Sequence, residues 1–152
     1  MNDATEMDEE VYWVVHLDFV SSSESLEEME EKLGQRRTGR VHRVGNVIGS
    51  PRNPKGFRTD NCLSFEYPCD DWPEACRCLS EQVVPLIDRF RTVGLRAQGE
   101  VDILYVGPNT YVSGSLPQPL VEACASAGVA LTWSLTVVWP AQGRRRDCGP
   151  PA

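Results

Sequence analysis

The sequence predicts an α+β domain, a mixed and mainly antiparallel sheet with its helices packed on one face. Two long stretches, residues 11–20 and 129–139, are apolar at every second position, the period of a strand with one buried face. Three other stretches repeat apolar residues at helical spacing behind capping signals. The order is strand, helix, strand, strand, helix, strand, helix, strand. The first six elements match a ferredoxin-like split βαβ core, to which the last two add a helix–strand unit.

In residues 11–20, Val11, Trp13, Val15, Leu17 and Phe19 share one face and Tyr12, Val14, His16, Asp18 and Val20 the other. The second face is itself partly apolar, which predicts a central strand. Ser25 and Glu28 have the spacing of a capping box. Leu26, Met29 and Leu33 then fall on one helical face, and Gly34 offers the left-handed stop. Residues 35–61 are irregular, with a short edge strand expected in 41–48. Residues 62–67 form a surer strand with Leu63, Phe65 and Tyr67 on one face, ended by Pro68.

Asp71 caps the longest helix, 71–93, with a stripe of Trp72, Ala75, Leu79, Val83, Leu86 and Phe90. Pro85 lies inside it and should kink it near Glu81, whose carbonyl loses its donor. Residues 100–106 are a strand, 107–110 a turn and 111–113 a short return strand. Ser115 is the expected cap of a third helix, 116–127, with Leu120, Val121 and Cys124 inward. Residues 129–139 then form the last strand, expected to be central and parallel to a neighbour. Trp13, Val15, Phe65, Leu79, Leu86, Trp133 and Leu135 are predicted to be buried together.

A chain of 152 residues suits one domain that buries a sizeable core without disulfides or metal. We expect an acidic, disordered segment over 1–10, the domain over 11–139 and a flexible tail over 140–152. The N-terminus MNDATEMDEE lacks the basic start and apolar run of a secretory signal. That predicts a cytoplasmic protein with its six cysteines reduced. No stretch reads as a membrane span.

Charge is laid out in blocks. Residues 1–31 hold eleven acids and no Lys or Arg, and residues 32–59 hold eight Lys or Arg and no acid. Arg36, Arg37, Arg40, Arg43, Arg52, Lys55 and Arg58 could dock an acidic patch of a protein partner or a small anionic ligand. They could equally neutralise the acidic helix before them. Nucleic acid is disfavoured by a pI near 4.8 and by Phe57 being the one aromatic in the segment. His16 and Asp18 point the same way, and such a pair could orient a general base, yet no nucleophile accompanies them. The phosphate-binding and hydrolase motifs are absent, so no catalytic residue, metal ligand or cofactor is assigned.

The run YWVVHLDF, then SLEEMEEKLG, an Arg/Gly-rich segment, RTDNCLSFEYP before the long helix, and the closing GVALTWSLTVV together resemble the domain of unknown function 4279 family. These are small bacterial domains without an established activity. The resemblance spans about residues 11–139 and implies no catalytic residues. By analogy with small acidic bacterial domains that neutralise toxins, it suggests a non-enzymatic protein-binding module, an immunity-type protein in one form. The alternative is a small-molecule sensor or enzyme with a pocket near His16, Asp18 and the basic segment 36–58.

Overall fold

A computed structural model describes residues 11–138. The expected segments 1–10 and 140–152, together with Trp139 and Cys148, lie outside the described residues. The architecture is α+β. A four-stranded sheet, with three helical segments on one face, is built from β1 (Tyr12–Ser21), β4 (Asn61–Cys69), β5 (Gln98–Gly107) and β6 (Ala130–Val137). The spatial order is β4-β1-β5-β6. β1 runs antiparallel to both neighbours, and β5 and β6 are parallel.

The helix–strand logic of the sequence holds for most of the chain. Helix α1 (Leu26–Leu33) starts in the full capping box of Ser25 and Glu28 and stops at Gly34 with φ +70°. Its Leu26, Met29 and Leu33 are buried. The long helix runs as α2 (Trp72–Cys78), a π-helical turn (Leu79–Val83) and α3 (Val84–Thr92). Asp71 caps it through the Glu74 N–H at 2.8 Å. The disturbance expected from Pro85 takes the form of that π-helical turn, in which the Val84 N–H reaches back to the Leu79 carbonyl. One extra residue in the turn absorbs the donor that proline cannot supply. Ile87, outside the predicted stripe, is fully buried beside Leu86.

The sheet also holds a split βαβ unit. β4 and β5 are joined through the long helix with β1 between them. The first half of the expected ferredoxin-like core is not completed by a full strand. His42 makes a single antiparallel bridge to Cys62 on the outer edge of β4. The expected strand at 41–48 is replaced by a separate hairpin, β2 (Val47–Ser50) with β3 (Asn53–Phe57). Pro68 does not end β4, because a strand paired on one side tolerates a missing N–H that faces outward.

Three further expectations are corrected. Residues 111–113 form no strand. Helix α4 (Gln118–Ala127) starts behind Pro117 without a side-chain cap, so Ser115 plays no such part. Its Val121 is 44% exposed, while Ala123 takes the inward place beside Leu120 and Cys124.

The largest correction concerns β6, which among the described residues is an edge strand rather than a central one. Trp13, Val15, Phe65, Leu79 and Leu86 are buried as predicted, but Trp133 and Leu135 are 44% and 45% exposed. Their phase is right, since Trp133 and Leu135 sit beside the inward Ile103 and Tyr105 of β5. Alternation tells which side chains share a face. It does not tell how many strands or helices lie over that face.

The fully buried Leu17 and the half-exposed Leu135 should therefore respond differently to truncation. Leu17→Ala should cost about 2–5 kcal/mol in urea denaturation. Leu135→Ala should cost about 1 kcal/mol, part of the transfer energy of a fully buried leucine.

Candidate functional site

The four strands of the main sheet contain no Lys or Arg and four acids, Asp18, Glu66, Glu100 and Asp102. All four stand at even positions, so all four lie on the face away from the helices. Register brings them together across the strands: His16 is opposite Glu66 on β4 and Asp102 on β5, and Asp18 is opposite Ser64 and Glu100. The open face is thus acidic, with His16 in its middle. Asp18 Oδ1 is buried there without a hydrogen-bond partner.

β6 continues this face with small residues, Ala130, Thr132, Ser134 and Thr136. Ser134 Oγ donates to Asp102 Oδ1 at 2.8 Å. Thr132 Oγ1 lies 2.9 Å from the same oxygen and 3.1 Å from Glu100 Oε1. These bonds tie the edge strand to its neighbour on the polar side.

An aromatic knot ties it on the other side. The ring of Trp13 lies 4.8 Å from Trp72, 5.1 Å from Tyr105 and 6.2 Å from Trp133, and Trp72 lies 5.3 Å from Trp133. Tilted and edge-on geometries of this kind add to the area they bury. The connection from β5 to α4 crosses beside them, and Gly114 is pressed so close to Trp72 that a Cβ would meet its indole at 3.0 Å. Between this loop and β6 is a concavity of about 500 Å³, lined by Tyr105, Tyr111, Val112, Leu116, Trp133 and Leu135 among others. Tyr105 is 3% exposed, and its hydroxyl has no partner. The outer edge of β6 pairs with nothing among the described residues.

The basic residues divide into two groups. Arg37 pairs with Glu30 at 2.9 Å and reaches Glu27 at 4.0 Å, and Arg43 grips Glu27 with two nitrogens at 2.6 and 3.2 Å. Two of the seven cations thus neutralise α1. Arg36 lines a concavity with Glu27, Glu30 and Glu31, and Arg40 is exposed nearby in sequence. Arg52 and Lys55 are exposed on the β2–β3 hairpin. Arg58 lines a smaller concavity of about 220 Å³ with His42, Phe57 and Cys62. His16 and Asp18 line none of these concavities, although Asp18 and Arg58 both act on the Cys62 thiol, which burial pushes up, the first adding to that rise and the second opposing it.

The five described cysteines are free thiols. Burial pushes each of them up, Cys62 to about 11 with Asp18 adding to the effect. Cys78 rises to about 12 through burial and the neighbouring Cys69 thiol. A thiol held protonated is a poor nucleophile. Among the described residues no group of three or more His, Cys, Asp or Glu is placed to hold a metal ion. No described helix is long and apolar enough to cross a membrane. The residues missed in the sequence are the β6 edge and the acidic face. The strand parity of the acids was the available signal.

No family model, curated protein or solved structure matches the chain.

Two outcomes follow from these environments. The Arg43 guanidinium holds the Glu27 carboxyl down to about 2. A carboxyl detected by NMR should therefore stay ionised through pH 4.5 and titrate near 2, and Arg43→Ala should return it to the ordinary range. The stabilising pair is present above the ordinary carboxylate range and is lost as pH falls through about 2. Alkylation by iodoacetamide at pH 8 should modify Cys62 and Cys78 at least about tenfold more slowly than free cysteine, because so little thiolate is present.

Proposed function

We propose that this chain is a non-enzymatic protein-binding module that takes an extended segment of its partner onto the open edge of β6. One observation carries the reading. β6 reads ALTWSLTV, with no charge and no proline, and it stands unpaired at the sheet edge among the described residues. Edge strands of soluble proteins normally carry charges, prolines or bulges that discourage a further strand. β6 has none of these, and its Trp133 and Leu135 are half exposed beside an apolar concavity. Strand addition would supply main-chain hydrogen bonds for affinity and seat alternate side chains for specificity.

The opposite edge of the sheet is guarded. Segment 38–42 lies along β4, with the Thr38 and Gly39 N–H groups donating to the Ser64 carbonyl and His42 bridging Cys62. An immunity-type role is one form of this reading, as is membership of the family the sequence resembles. The small-molecule alternative is supported less well, because His16 and Asp18 do not line the concavity that holds Arg58 and the thiols are held protonated.

The test is selection of displayed seven-residue peptides on the full chain. Selected peptides should slow amide exchange in β6, and Leu135→Lys, which places a charge on the edge, should weaken them at least about tenfold. Failure to select any peptide, or protection confined to the hairpin and α1, would end this reading.

A further inference from the structure

We infer that the segment accepted by β6 alternates cationic and apolar residues, its cations facing Asp102 and Glu100 and its apolar side chains facing Trp133 and Leu135. This rests on the strand-addition reading above and names the class of partner.

A strand added to β6 has its side chains alternate between the two faces of the sheet. On the helix side they meet Trp133, Leu135 and the loop residues Tyr111 and Val112 around the concavity of about 500 Å³. That space suits an aromatic or branched apolar side chain, and Tyr105 in its wall has a hydroxyl buried without a partner. On the open side the added strand looks across β6 to β5. The intervening residues are Thr132, Ser134 and Thr136, too short to block the way. Two strand spacings, about 9.5 Å, separate the added strand from β5. An extended Lys or Arg side chain lying over those hydroxyls closes that gap to the carboxylates.

The carboxylates are available for it. Asp102 and Glu100 are bonded only to the hydroxyls of Thr132 and Ser134 among the described side chains, and neither is in an ion pair there. No Lys or Arg stands on any strand of the sheet. A second copy of this chain is the poorer occupant. Its own β6 is uncharged and would bring a second acidic face edge to edge with the first, without a cation between them.

Two capped peptides on the full chain decide this, KVKFKVK and its acidic counterpart EVEFEVE, followed by Trp fluorescence and calorimetry. The cationic peptide should bind at least about tenfold more tightly at low salt, the sum of two modest ion pairs. Asp102→Asn combined with Glu100→Gln should narrow that preference to below about threefold and flatten the salt dependence. These two changes keep an acceptor for Thr132 and Ser134, and unchanged circular dichroism would show that the fold persists.

Equal binding of both peptides, lost in Leu135→Lys, would overturn the charge rule while leaving strand addition standing. Absence of binding by either, or binding indifferent to Leu135→Lys, would overturn both. A concentration-dependent dimer in sedimentation, abolished by Leu135→Lys, would assign the edge to a second copy and overturn the inference.

Discussion

Everything in this domain depends on β1 being paired along both sides. Residues 13–21 have partners in β4, and residues 12–20 have partners in β5. Trp13, Val15, Leu17 and Phe19 then have no freedom to face anywhere but the helix layer, where all four are buried. Phe19 meets Phe65 from one neighbouring strand and Phe90 from the helix above. Gly99, its partner in β5, is small because a Cβ there would meet Val129 at 2.9 Å and Phe19 at 3.2 Å. The central strand thus sets the size of what may stand beside it.

Parity also sorts the charge. Because the odd positions of β1, β4 and β5 are committed to the core, every acid on those strands is driven to the open face. The described cations stand on or beside α1, the hairpin and the long helix, and none stands on the four-stranded sheet. Arg37 and Arg43 are occupied by Glu27 and Glu30, while on the sheet Glu100 and Asp102 meet the hydroxyls of β6. The result is a sheet whose open face carries acids without a Lys or Arg among them.

Much of this was legible in the sequence, for local reasons. Capping boxes, the left-handed glycines at Gly34 and Gly128 and the period-two runs are written within a few residues of where they act. Place in the sheet is not local. Residues 129–139 alternate as cleanly as residues 11–20, yet one strand lies inside and the other at the rim, because only the fold decides which neighbours arrive. The hairpin of Val47–Phe57 was hidden for a different reason. Its strands are short, exposed and rich in glycine and polar residues, so neither face carries an apolar pattern to read. The pairing of Arg37 and Arg43 with α1 and the place of His16 and Asp18 on the open sheet face were invisible because nearness along a chain says nothing of nearness across a sheet.

The double pairing of β1 has a consequence for synthesis. β1 precedes both of its partners in the chain, β4 by some tens of residues and β5 by more. β4 ends at Cys69 and β5 at Gly107. At roughly 5–20 residues per second on the ribosome, several seconds pass between the emergence of β1 and that of its second partner. Until β4 emerges β1 has no partner strand, and until β5 follows one of its sides stays open. The five acids in MNDATEMDEE stand directly before it, where charge of one sign repels other nascent strands. Acidic residues flanking an apolar strand in this way are the sequence pattern of a gatekeeper.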